Sequence, residues 1–248
     1  MTQFLPKKLT FAQKTCLGLA GKLIHQTAMI TPGSRIGVAF SGGMDSFVLL
    51  QMLLYRQRTL PFSFEIMVLH INPGFDPKIH TPLVEWVKTR GIPAHFEVTE
   101  HGPRAHSEEN RKNSPCFFCS WLRRKRLFDL CRRYRLTHLA FGHNADDLVA
   151  NFFMNMMHNG RVSGLSPKQE FFKGNLFVVR PLLLVEKRHI RPASRRWELP
   201  VISNPCPSAA SSTRTEMWSW LNDYIGSDRR RRNNLFNALR RWQLDWTS

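Results

Sequence analysis

Three groups of residues in this sequence have the types and spacing to do chemistry. The first is the run Ser41, Gly42, Gly43, Met44, Asp45 and Ser46. Two glycines let a backbone turn tightly and come close to an anion. Two hydroxyls and the open N–H groups of a following helix can then cradle a phosphate. The string is neither a G-x-x-x-x-G-K-[ST] loop nor a G-x-G-x-x-G fingerprint. The second group is Gly142, His143, Asn144, Ala145, Asp146 and Asp147. Adjacent carboxylates at a helix start suit either capping or holding Mg²⁺ against a pyrophosphate. The third is the pair Cys116 and Cys119, spaced C-x-x-C, together with Cys206 between Pro205 and Pro207.

A C-x-x-C alone fits half a zinc site, a redox pair or iron–sulfur ligation. A redox pair belongs at the first helix of a thioredoxin-like unit, whereas this pair ends a polar mid-chain segment. Cys206 offers a third partner, and a structural zinc wants four. Three thiolates suit a cluster with one open iron better than a closed zinc site. Cys131 falls on the helical stripe Leu127, Leu130, Cys131 and Tyr134 and reads as core. Cys16 carries no motif.

These groups need elements to hold them. Residues 9–28 have helical apolar spacing and a Pro32-Gly33 stop. Short apolar runs at 35–40, 65–71, 94–99, 138–142 and 176–184 predict five strands. Helical patterns at 45–57, 82–90, 120–135 and 146–157 fall between them, and two more helices flank Gly226 over 213–246. Repeated β-α units imply an α/β fold: a doubly wound, mostly parallel five-stranded sheet with helices on both faces, plus N- and C-terminal helices. The expected organisation is a helical segment over 1–32, a main domain over 33–205 with an inserted loop at 101–119, and a basic helical tail over 206–248. All three chemical groups fall at or after strand C-termini, where such sheets bind ligands.

Charge narrows the partners. There are 36 Lys+Arg against 18 Asp+Glu, a net +18, which points to a polyanion: nucleic acid first, an anionic membrane surface second. A hydrophobic fraction of 42% excludes a disordered polycation. No apolar run approaches the ~20 residues of a membrane helix. With no signal-peptide pattern and an odd cysteine number, the expectation is a cytoplasmic protein without a disulfide framework. Arg123, Arg124, Lys125 and Arg126, then Arg229, Arg230, Arg231 and Arg232, read as nucleic-acid phosphate contacts, which the resemblance given below makes RNA contacts. Arg195 and Arg196 read as a solvated face. The tryptophans Trp197, Trp218, Trp220, Trp242 and Trp246 read as core rather than base-stacking platforms.

The SGGMDS and GHNADD strings resemble the PP-loop ATP pyrophosphatases. Within them the chain resembles the tRNA 2-thiocytidine synthetase family. That resemblance rests on Cys116-x-x-Cys119-Ser120-x-Leu122-Arg123-Arg124, His70 with Asn72, Arg180-Pro-Leu, Glu186-Lys187 and Pro205-Cys206. The chain departs from the pattern at Met44, where many members have Lys, and at Ala150-Asn151, where many have Glu-Thr. Ala209 stands where a further cysteine often follows the third. The resemblance implies an ATP site of Ala39, Phe40, Ser41, Gly42, Gly43, Asp45, Ser46, His70, Asn72, Gly142, His143, Asp146 and Asp147. It implies Asp45, Asp147 and the three cysteines as catalytic, and Mg²⁺ at Asp146 and Asp147. It further implies a [4Fe–4S] cluster on Cys116, Cys119 and Cys206, and adenylation of the C2 oxygen of cytidine 32 before sulfur replaces it. The partners expected are tRNA and a cysteine desulfurase or other sulfur donor, with no membrane; a homodimer is left open. The alternatives are a tRNA uridine thiolase, a lysidine-type ligase and a non-catalytic zinc-containing RNA-binding protein.

Overall fold

The computed structural model describes residues 8–203, 205–208 and 213–245. Ala209 and Trp246 lie outside the described residues. A capping box opens α1 (Phe11–Thr27): the Thr10 hydroxyl accepts from the Gln13 backbone while the Gln13 side chain accepts from Thr10. The chain then alternates through β1 (Arg35–Ala39), α2 (Met44–Thr59), β2 (Glu65–Asn72), α3 (Thr81–Lys88) and β3 (Ala94–Val98). A short α4 (His101–Ala105) precedes the long α5 (Pro115–Arg133), β4 (His138–Ala140) and α6 (Ala145–Asn159). After β5 (Lys168–Phe171) and β6 (Leu176–Val179) come α7 (Lys187–Arg196), α8 (Thr213–Ile225) and α9 (Arg229–Asp245).

The sheet order is β3-β2-β1-β4-β6-β5. All pairings are parallel except β5 with β6. The sheet thus has six strands rather than the expected five. The added one, Lys-Gln-Glu-Phe, is an antiparallel edge strand whose polar side chains hide any buried-strand pattern. The apolar run at 176–184 also ends as a strand at Val179, and its remainder turns toward α7.

Two cores sandwich the sheet. On one face Leu127, Leu130 and Cys131 of α5 pack on Leu69, Ile71, Leu139 and Val178. On the other, α1, α2, α6 and α7 share one core with Leu221 of α8 and Phe236 and Leu239 of α9. Burial pushes the thiols of Cys131 and Cys16 up to about 12, so both are inert packing groups. No helix among the described residues is long and apolar enough to cross a membrane.

Candidate active site

Gly42 has φ +78°, and a Cβ there would stand 2.6 Å from Leu83 and 2.7 Å from Ile202. Only glycine satisfies both the backbone and the packing. The Gly42 carbonyl accepts the Ile202 N–H at 3.0 Å, tying the loop at 41–46 to the segment that carries Cys206. The Ser46 hydroxyl donates to the Gly43 carbonyl (2.8 Å), and the Ser41 hydroxyl donates to Ser46 (3.2 Å) and accepts the Gly43 N–H (3.2 Å). The start of α2 meets the loop before α6 at Gly142, where a Cβ would lie 3.1 Å from the Asp45 and Ser46 backbones.

Between these loops, at the carboxyl edge of the sheet, lies a cavity of about 250 Å³. Of the residues expected to bind nucleotide, Ala39, Phe40, Ser41, Asp45, Ser46, Gly142, His143 and Asp147 line it. A larger cavity of about 480 Å³, beside Arg35, Glu65 and Tyr134, sits at the opposite edge, away from every motif. Chemistry, not volume, selects the smaller one.

His70 and Asn72 do not line the cavity. His70 Nδ1 donates to the Phe40 carbonyl (2.8 Å), bracing the loop from beneath, and burial pushes its pKa down to about 4. Asn72 shapes the next loop: its amide donates to the Asp76 carbonyl and its oxygen accepts the Gly74 N–H, both at 2.9 Å. His143 stacks on Phe141, and burial pushes its pKa down to about 4 against the pull of Asp147.

The carboxylates divide. Asp45 keeps one buried oxygen, Oδ1, without a hydrogen-bond partner, while Oδ2 stands 3.7 Å from Lys187 Nζ. Burial pushes its pKa up, Lys187 opposes this, and Asp147 adds to it. Asp146 is committed elsewhere: Oδ2 accepts the Lys187 N–H (2.7 Å) and Oδ1 pairs with Arg232 (3.2 Å). Asp147 caps Asn144 through Oδ2 (3.0 Å) and faces Arg214 through Oδ1 (3.1 Å). The expected magnesium pair does not fit this arrangement, because two arginines, the helix cap and the Lys187 N–H engage all four oxygens.

Three cations line the cavity: Arg123, Lys187 and Arg214. The sequence had assigned Arg123 to RNA and gave Lys187 and Arg214 no role in the site. Lys187 heads α7, a helix the strand-like run before it concealed; Arg214 heads α8, in the tail. Met44 packs its side chain against the main core.

The C-x-x-C pair is not just before a helix, as its sequence suggested, but within the first two turns of α5. Pro115 occupies the helix start and the Ser114 hydroxyl accepts the Phe117 N–H (3.4 Å), so the helix begins five residues earlier than expected. This places Cys116 and Cys119 one turn apart. Burial raises both thiols, and the nearby Cys206 thiol raises both further; Arg123 pulls Cys119 back down. Cys206 Sγ is 4.0 Å from His106 Nε2, and Cys116 Sγ is 3.8 Å from the Ser208 carbonyl. Among the described residues, no three His, Cys, Asp or Glu side chains close around one ion. Thiolates of a four-iron cluster bind separate irons and stand farther apart than ligands of one ion, so three soft donors without a carboxylate fit a cluster.

The basic runs also divide. Arg126 makes two hydrogen bonds to Glu97, both 2.7 Å. Arg232 bridges Asp146 and Glu186 (3.1 Å), and Arg231 pairs with Asp228 (3.3 Å). Arg126 and Arg232 are thus engaged as struts, at odds with their reading as RNA contacts, whereas Arg231 and Asp228 form an exposed surface pair. Arg124, Lys125, Arg229 and Arg230 are exposed and form no ion pair among the described residues.

The PP-loop domain family model matches residues 19–214. The tRNA-cytidine(32) 2-sulfurtransferase of Bordetella pertussis is 32% identical over 234 residues, covering 90% of this chain and 72% of its own. That of Francisella tularensis subsp. mediasiatica is 30% identical over 231 residues, covering 92% and 85%. In fold the chain is similar to a U34-tRNA thiolase of Methanococcus maripaludis solved with its [4Fe–4S] cluster, with TM-score 0.74, 19% identity and coverage of 99% and 88%. It is also similar to an ammonia-dependent NAD synthetase of Campylobacter jejuni, with TM-score 0.52, 12% identity and coverage of 96% and 95%. A phosphate loop with adjoining thiols, matched over nine-tenths of the chain, places this protein in the tRNA-cytidine(32) 2-sulfurtransferase family of PP-loop enzymes.

Proposed function

We propose that this chain thiolates C2 of a cytidine in the tRNA anticodon loop, at position 32 as the relatives' name has it. One observation carries the reading. Arg123 walls the nucleotide cavity and stands one helical turn after Cys119 on α5, so the helix that carries two of the thiols also borders the phosphate site. The reaction balances in two displacements. The C2 oxygen attacks the α-phosphorus of ATP and pyrophosphate leaves. A sulfur nucleophile then attacks C2, and the C2–O bond breaks to release AMP.

The loop at 41–46 binds the phosphates through its hydroxyls and the N–H groups opening α2. Lys187, Arg214 and Arg123 neutralise the charge that develops on the departing pyrophosphate. Asp45, held beside Lys187, orients that ammonium. Cys116, Cys119 and Cys206 hold the sulfur-handling group. Bound there, a [4Fe–4S] cluster supplies one iron without a protein ligand, a place for the sulfur to be transferred. An anticodon loop is single-stranded, so its base can splay into the cavity.

The test is anaerobic incubation of the protein with ATP, tRNA and inorganic sulfide, followed by mass spectrometry of the tRNA nucleosides. The expected products are 2-thiocytidine, AMP and pyrophosphate. Appearance of 2-thiouridine instead assigns the target to uridine, and ADP as product sinks the PP-loop chemistry.

A further inference from the structure

The outer face of α5 carries an aromatic stripe that neither the fold nor the cavity uses. Phe117 and Trp121 stand one turn apart at i, i+4, and are 59% and 48% exposed. Large aromatics this open, side by side, are not core. The Trp121 ring lies nearly parallel to that of Phe118 (centroids 6.0 Å, interplanar angle 21°). One further turn on, Lys125 Nζ sits 5.8 Å from the Trp121 ring, and Arg124 is exposed beside it. The indole is therefore held in place, with one aromatic neighbour and one cation.

We propose that Phe117 and Trp121 form a stacking platform for unpaired bases of the tRNA loop, flanking the nucleotide whose base enters the cavity. This rests on the tRNA-thiolation reading above. Charge selects the occupant: the rings run into Lys125 and Arg124, in a chain of net +18, and Arg111 and Lys112 just before α5 are exposed as well. Rings interleaved with cations match the alternation of bases and phosphates in a single strand. Position agrees, because Phe117 lies between Cys116 and Cys119 in sequence, at the N-terminal end of α5 that carries these two thiols. A paired stem offers no open base face to such rings, so the platform favours loops over helices.

The experiment compares the intact chain with the double variant Phe117→Ala/Trp121→Ala and with Trp121→Phe. The probes are an anticodon stem-loop RNA and a fully paired duplex of the same stem. The double variant should bind the stem-loop about tenfold or more weakly, with duplex binding and the melting temperature unchanged. Trp121→Phe should recover most of the loss. Equal weakening toward both probes, or none toward either, overturns the platform. So does a double variant that binds the stem-loop normally but no longer accepts sulfur from a cysteine desulfurase, which would make this face a protein dock. Failure of the intact chain to bind the stem-loop at all, with ATP present, would instead overturn the thiolation reading itself.

Discussion

Asp45 is the residue where folding and function pull in opposite directions. Its carboxylate is partly buried, with Oδ1 buried and unpartnered, and that burial raises its pKa in the folded chain against the pull of Lys187. The folded state then binds more protons than the unfolded one once pH exceeds the ordinary carboxylate value, so this residue subtracts stability as pH rises through that window. Asp45→Asn should raise the thermal midpoint at neutral pH while abolishing AMP and pyrophosphate formation; calorimetry and product analysis check the two halves separately. Cys206→Ser should keep ATP binding but lose the iron–sulfur absorbance after anaerobic reconstitution. Retention of both absorbance and thiolation would remove Cys206 from the ligand set. The motif residues themselves were legible, because glycines, hydroxyls and thiols in fixed strings have few other uses. Lys187 and Arg214 were not: a lone cation gives no local sign of the cavity it enters, 142 and 169 positions after Asp45 in the chain.

At the level of elements, α9 packs into the main core through Phe236 and Leu239 and reaches the active-site edge through Arg232. Arg232 reaches both Asp146 at the start of α6 and Glu186 at the start of α7, and all three side chains are largely buried. Arg232→Met should cost on the order of 3 kcal/mol, because it leaves the buried Asp146 carboxylate without a cation and Glu186 with Arg188 alone. Urea unfolding measures this. The neighbouring Arg229→Ala/Arg230→Ala pair, exposed at the start of α9, should leave stability unchanged and lower the salt dependence of tRNA binding by about one to two phosphate contacts. The run of four arginines looks uniform in the sequence; only the distant carboxylates distinguish its members. Most elements were readable from apolar spacing. The polar edge strand β5 was not, nor was the start of α5, where Ser114-Pro115 carried a helix-start signal that the polar segment before it obscured.

For the whole molecule, three buried histidines set the acid limit. Burial pushes His70, His138 and His143 each down to about 4. Unfolded histidines titrate near 6.5, so between about 6.5 and 4 the unfolded chain binds more protons and stability falls as pH drops. The melting temperature should decline across that window, and His138→Gln, away from the nucleotide cavity, should flatten the slope. A pH series of thermal melts decides this. Fold class was legible from the alternation of strands and helices. Which positive charges face solvent was not, since that depends on carboxylates brought in from other layers.

The hydrogen bond from Ile202 to the Gly42 carbonyl has a kinetic consequence. Three residues separate Ile202 from Cys206 in the sequence, so one main-chain hydrogen bond links the loop proposed to hold triphosphate to the stretch of chain that carries the third thiol. A link of that kind lets nucleotide binding alter how the third thiol is presented before sulfur is handled. ATP should accordingly change the alkylation rate of Cys206 in the cluster-free protein, and Ile202→Pro, which lacks the N–H, should erase that change.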